Sequence, residues 1–176
     1  MTDSDFREAF HRHKDLLYRF VYRMTGSGPV AEDLVQECFT SLWENPGRYD
    51  TGRGPLQAYL LGMARNLVFK RWGRESRYGP EEPEDLACPP FDVVGMERSE
   101  AIAAAVQGLP ALQREALVLA EYEELSLDEI ARATGADLAA VKSRLHRARQ
   151  NLRRVLAPLL ETKRLETKRN LHGTPK

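Results

Sequence analysis

The stretch Val141–Leu156, VKSRLHRARQNLRRVL, holds six Lys or Arg residues and no carboxylate. Such side chains neutralise phosphates, and a helix that carries them into a groove binds duplex nucleic acid. A second cluster offers different chemistry. Arg65, Asn66, Phe69, Lys70, Trp72 and Arg74 set cations, an amide and aromatic rings at nearby positions. Unpaired bases expose π-faces on which rings stack, edges that an amide reads, and phosphates that cations hold. Taken alone, Phe69 and Trp72 fit a helix core equally well, with Lys70 and Arg71 solvated. The chain has no nucleophile–base pair, no P-loop and no dinucleotide fingerprint, so no enzymatic activity is expected. It has no CxxC, HxxxH or HExxH spacing, so neither a metal site nor a cofactor is expected.

The elements that must position these residues follow from periodicity. Val141, Leu145, Ala148, Leu152 and Val155/Leu156 recur at the helix period and form a buried stripe. Lys142, Arg144, Arg147, Arg149, Arg153 and Arg154 fall outside it, on both flanks. Upstream, Leu109-Pro110 opens a helix that runs to about Tyr122. Ser126-Leu127-Asp128-Glu129 matches a capping box, in which Ser and Glu satisfy each other's backbone amides. The short helix EIARAT follows, Gly135 breaks it, and Asp137 caps the next. Ala131, Gly135 and Val141 stand where a helix-turn-helix needs a small residue at the crossing, a glycine free to take positive φ, and an apolar anchor.

The first half is also helical. Apolar residues recur at 6, 10, 13, 17, 20 and 24, GSGP at 26–29 punctuates, and the pairs Leu34/Val35, Cys38/Phe39 and Leu42/Trp43 repeat every four residues. Asp33, Gln36, Glu37 and Glu44 lie mostly off that stripe. The segment 45–55, NPGRYDTGRGP, is a loop rich in turn formers. A third helix spans about Leu56 to Arg74, with a core stripe of Leu56, Tyr59/Leu60, Met63/Ala64 and Leu67/Val68.

Charge divides the chain. The net charge is zero, from 26 basic and 26 acidic residues. Residues 1–78 carry +2, 79–100 carry −6 and 101–176 carry +4. The middle piece, YGPEEPEDLACPPFDVVG, holds four of the ten prolines. Proline breaks helices and like charges extend a chain, so this piece reads as a linker between two helical domains. A loop of that length inside one domain is uncommon. The expected fold is all-α: an N-terminal helical bundle (1–77), an acidic Pro-rich linker (78–98), a C-terminal helix-turn-helix domain (99–158) and a tail (159–176). No apolar run approaches the roughly 18 residues of a membrane span, and MTDSDFREAFHRHKD has no signal-peptide core. A cytoplasmic protein without membrane insertion is expected. Two cysteines, Cys38 and Cys88, make no disulfide framework.

Two blocks together resemble a known family. AEDLVQECFTSLW with RYDTGRGPLQAYLLGMARNLVFKRW is similar to region two of the extracytoplasmic-function (ECF) sigma factors. LPALQREALVLAEYEELSLDEIARATGADLAAVKSRLHRARQNLRRVL is similar to their region four. The resemblance covers about residues 6–75 and 105–156. It implies a transcription initiation factor that binds core RNA polymerase and promoter DNA, and that an anti-sigma factor restrains. It implies Asp33, Gln36 and Glu37 as polymerase contacts. It implies Arg65, Asn66 and Lys70 at the melted minus-ten element, with Tyr49 or Asp50 near a flipped base. It implies Lys142, Ser143, His146 and Arg147 at the duplex minus-thirty-five element, with Arg114 and Arg149 on the backbone. The linker would thread toward the RNA exit path. Cys38 departs from the Thr, Val or Ala expected there, and reads as a small buried residue or as a redox switch. The tail, with ETKR twice, reads as frayed or partly helical, or as a basic extension. Two other functions compete: an autonomous helix-turn-helix regulator, and a sigma-like decoy for an anti-sigma factor.

Overall fold

The structure, a computed structural model, describes residues 2–75, 93 and 95–171, with the backbone alone for 74, 75 and 160–171. Among the described residues every regular element is helical. Helix α1 (Asp3–Thr25) starts at a capping box between Thr2 and Asp5 and ends where Gly26 takes φ +70°, a conformation open to glycine. Ser27 then caps α2 (Gly28–Glu44), with Pro29 in its first turn. The GSGP punctuation is therefore a stop and a start in four residues. Two single 3₁₀ turns, Pro46–Arg48 and Thr51–Arg53, lead to α3 (Leu56–Glu75).

These three helices form the first bundle. Leu17, Phe20, Val21 and Met24 of α1 face Leu34, Cys38 and Leu42 of α2 and Leu60, Ala64 and Val68 of α3, all buried. Trp43, expected in the stripe of α2, is instead 48% exposed. It lies edge-on to Phe6 at 4.9 Å, at the rim of an aromatic groove between α1 and α2. In α3, Leu61 is buried beside Leu60, whereas Met63 and Leu67 are only half-buried. The reason is that α3 has neighbours on two sides, α1 and α2 on one and α6 on the other.

The second half begins with a helix that the periodicity did not mark, α4 (Arg98–Gln107), whose run AIAAAV is too uniformly small to show a face. Helix α5 (Ala111–Leu117) passes into a π-helical turn, Val118–Tyr122, rather than continuing unbroken to Tyr122. The Ser126–Glu129 capping box starts α6 (Leu127–Thr134), Gly135 takes φ +70°, and Asp137 Oδ1 accepts from the Ala140 amide at 2.7 Å. Helix α7 (Leu138–Leu171) carries the buried stripe Val141, Leu145, Ala148 and Val155, with Leu152 and Leu156 half-buried. Its backbone stays helical past Pro158 to Leu171, so the partly helical reading of the tail describes the backbone. The linker, with Cys88, lies outside the described residues apart from Val93, which is buried, and from 95 onward.

The two halves pack on each other. Helix α3 meets α6, and α1 meets α4, α5 and the π-helical turn. At the α3–α6 crossing a Cβ on Gly62 would stand 3.1 Å from the Ala133 carbonyl, so the glycine allows the approach. One apolar core runs through both domains.

Candidate nucleic-acid and polymerase-binding surfaces

The cations of α7 sort by what lies next to them. Lys142 and His146 are exposed, and Ser143 and Arg147 are half-buried, all on the first turns after the glycine turn. Arg149 is turned onto the π-helical turn that follows α5, where Nε donates to Glu121 Oε1 at 2.9 Å. Arg144, expected on the outer flank, is half-buried and acts on the buried Glu115. Arg153 and Arg154 are exposed, and Arg154 donates to Asn151 Oδ1 at 3.3 Å. The stripe and turn fix the helix, and the exposed first turns are the part that can enter a groove.

On α2, Asp33, Gln36 and Glu37 are all exposed. With Thr40, Ser41 and Glu44 they line a shallow depression of about 400 Å³. Cys38, one residue on, points the other way into the core. Burial pushes its thiol up to about 12, helped by the Glu37 carboxylate. A thiol so held stays protonated and unreactive, which fits a packing role and not a redox switch.

In the loop, the Tyr49 hydroxyl donates to the Gly54 carbonyl at 3.2 Å, and its ring lies 5.4 Å from that of Tyr59. Asp50 is exposed and accepts from the Gly52 amide at 2.9 Å. Tyr49 and Asp50 therefore shape the turn that leads into α3.

The α3 cluster is divided by the second domain. Asn66 and Lys70 are exposed. Arg65 is not: Nε donates to Glu115 Oε1 of α5 at 2.6 Å, and the guanidinium lies 4.7 Å from the Phe69 ring centre. Phe69 meets Trp72 edge-on at 5.3 Å, and Arg114 of α5 lies 5.5 Å from the Trp72 ring. Arg114, expected on the DNA backbone, is turned inward in this arrangement. Its guanidinium donates to the carbonyls of Met24, Gln107 and Leu109, because the C-terminal ends of α1 and α4 leave carbonyls that need donors. Gln107 Nε2 adds a bond to the Arg23 carbonyl at 2.5 Å. Further along, the buried Glu123 accepts from Arg19 at 2.9 Å and from Arg23 at 3.5 Å.

Glu115 is fully buried, and its Oε2 accepts no hydrogen bond. Burial raises its carboxyl to about 7, against the opposing pull of Arg65 and Arg144. Glu115, Glu123 and Gln107 were not picked out from the sequence. A signal for Glu115 was present: it is a lone acid at the start of the run ALVLA, where a carboxylate finds no water.

The chain thus presents a capped helix-turn-helix with exposed cations, joined to a helical bundle with an exposed acidic, amide-bearing face. The sequence pattern of sigma-70 region 2 matches residues 9–78, and that of sigma-70 region 4 matches residues 99–152. The chain is 34% identical over 158 residues to the ECF RNA polymerase sigma factor SigE of Mycolicibacterium smegmatis, covering 85% of this chain and 61% of SigE. It is 31% identical over 173 residues to the ECF RNA polymerase sigma factor SigW of Bacillus subtilis, covering 89% of this chain and 92% of SigW. Among solved structures, the sigma factor RpoE of Bartonella quintana, in complex with the anti-sigma factor NepR, matches with a TM-score of 0.69 at 26% identity, over 87% of this chain and 97% of the matched chain. CnrH, solved with the cytosolic domain of CnrY, shares the fold with a TM-score of 0.66 at 22% identity, over 89% of this chain and 90% of that one. This chain belongs to the ECF sigma factors of the sigma-70 family. Members of that family initiate transcription and are not enzymes.

Proposed function

We propose that this chain binds core RNA polymerase and directs it to promoters, with each domain taking one element. The observation that carries the reading is the pairing, in one chain, of the exposed Asp33–Gln36–Glu37 face with a cationic helix-turn-helix. In this reading α2 docks on polymerase, and the groove of about 770 Å³ between α1 and α2, with Phe6, Phe10 and Trp43, extends that surface. Asn66, Lys70 and Arg65 of α3 take the unpaired minus-ten strand, beside the turn built by Tyr49 and Asp50. Capturing an unstacked base offsets an unstacking cost of a few kcal/mol, so melting needs no catalytic group. Lys142, Ser143, His146 and Arg147 take the minus-thirty-five duplex. Arg149 reaches the backbone by leaving Glu121, an exposed pair that costs little to break. The duplex role of Arg114 requires it to leave the interdomain contacts described above.

Such a protein works in the cytoplasm, where the polymerase is; among the described residues no helix is long and apolar enough to cross a membrane. An anti-sigma factor is proposed as a further partner, on the likeness to RpoE, which was solved with one. The autonomous-regulator and decoy readings leave the α2 face or the α7 cations without a purpose, and the family assignment does not favour them.

The test is co-elution of the full chain with sigma-free core polymerase, with the housekeeping sigma factor as competitor. A stoichiometric, competed complex is expected. Asp33→Arg reverses charge on an exposed face, so it is expected to weaken that complex while leaving the helical signal intact; full competition by the variant would remove Asp33 from the contact. Arg147→Ala is expected to cost about 1–3 kcal/mol of promoter affinity, as for a side chain that reads a base. Unchanged promoter binding by the variant would take Arg147 out of the interface.

A further inference from the structure

We infer that Leu138 reads a thymine of the duplex element, by packing its side chain on the C5 methyl group of that base in the major groove. The inference rests on the promoter reading above and adds an apolar determinant to the polar ones. Among the described residues, five large apolar side chains are exposed. Four are aromatic: Tyr18 and Tyr22 stack on each other, Trp43 meets Phe6, and Tyr122 faces the Arg23 guanidinium. The fifth, 37% exposed, is Leu138. It opens α7, directly after the turn at Gly135 and the cap at Asp137. Ala136 and Val141, on either side of it, pack into the core, so the start of the helix is anchored without Leu138.

Residues four apart on a helix are neighbours on one ridge. Leu138, Lys142 and His146 therefore follow one another along α7, and all three are exposed. Helical side chains lean toward the N-terminus, so Leu138 leads this ridge. A recognition helix contacts base edges with its N-terminal residues. Those edges offer donors, acceptors and one apolar group, the thymine methyl. Leucine has neither donor nor acceptor. Against any other edge it would displace water from a polar group and return no hydrogen bond. Ala139, exposed beside it, adds no polar side-chain group to the same turn. Cytosine carries only hydrogen at the carbon where thymine carries its methyl, so the contact separates the two pyrimidines.

The test removes the methyl group alone. Duplexes bound by the full chain with core polymerase are selected from a random-sequence pool. Each thymine of the selected minus-thirty-five element is then replaced singly by deoxyuridine, which pairs with adenine as thymine does and lacks only the methyl. At one position the replacement is expected to weaken binding by about fourfold, as for one methyl group taken from water. Leu138→Ala, a change at an exposed position, is expected to keep the helical signal and to bind the thymine and deoxyuridine duplexes equally. A methyl effect of the same size in the variant would overturn the role of Leu138, and so would the lack of an effect at any thymine of the element. Either result would leave the promoter reading in place. Recovery of no preferred sequence from the pool would overturn the promoter reading, and the role of Leu138 with it.

Discussion

Phe20→Ala is expected to lower the unfolding free energy by about 3–5 kcal/mol, the range for truncating a fully buried aromatic ring. Phe20 is 1% exposed and heads the largest fully buried side chains. It sits on α1, the helix that touches α2, α3, α4, α5 and the π-helical turn. A cavity there is walled by other fully buried side chains of a close-packed core, so collapse around it is limited. Because one core runs through both halves, urea denaturation should show a single transition shifted to lower concentration. A loss below about 1 kcal/mol would mean that the helices close over the gap, and would place the main support of α1 elsewhere.

The second large effect is a dependence on pH. Glu115 ordinarily titrates near 4.5, and burial raises it to about 7 in the packed form. The folded chain therefore holds the proton more tightly than the unfolded chain. Its contribution is fully present below about pH 4.5 and is lost as pH rises through about 7. The charged carboxylate still pairs with Arg65, but that pairing and the nearby Arg144 do not repay its full desolvation. The span corresponds to at most about 3 kcal/mol. His13 works the opposite way: burial lowers its pKa, so its contribution is lost as pH falls. The measurement is therefore a difference. Unfolding free energies of the unchanged chain and of Glu115→Gln are compared from pH 4.5 to 8. The variant should lose the fall between 4.5 and 7 that Glu115 causes, while the His13 contribution cancels. Identical pH profiles would show that Glu115 titrates normally and that the site admits water.

Local rules made much of this fold legible. Ser126 and Asp137 cap helices, Gly135 ends one and GSGP at 26–29 divides two others, and each acts over three or four residues of sequence. The same holds for the α7 stripe, where Val141, Leu145 and Ala148 lie on one helix face whatever covers it. Trp43 shows where such reasoning ends. Its spacing on α2 matches Leu42 and Phe39, but only the path of α1 determines that it stands at a groove rim. Arg65 and Arg114 show it more sharply. Their residue types suit phosphates, and in the folded chain they bind Glu115 and the end of α1, partners 50 and 90 residues distant. No periodicity carries that pairing, because it depends on how one domain is laid on the other. Phe69 and Trp72 are half-buried, edge-on to each other and packed against the core, so the core reading accounts for part of each ring's surface.

The π-helical turn at Val118–Tyr122 has a consequence for how such chains diverge. A π turn takes up one residue more than the α-helix it interrupts. Everything after Tyr122 is thereby rotated by about 100° from where an unbroken α-helix would set it. That rotation is what aims Glu123 at Arg19 and Arg23. The register of the chain at this turn, together with the contact residues themselves, thus sets how the halves grip each other. A relative with the same side chains but a single deletion in this turn would keep both domains and lose the grip between them.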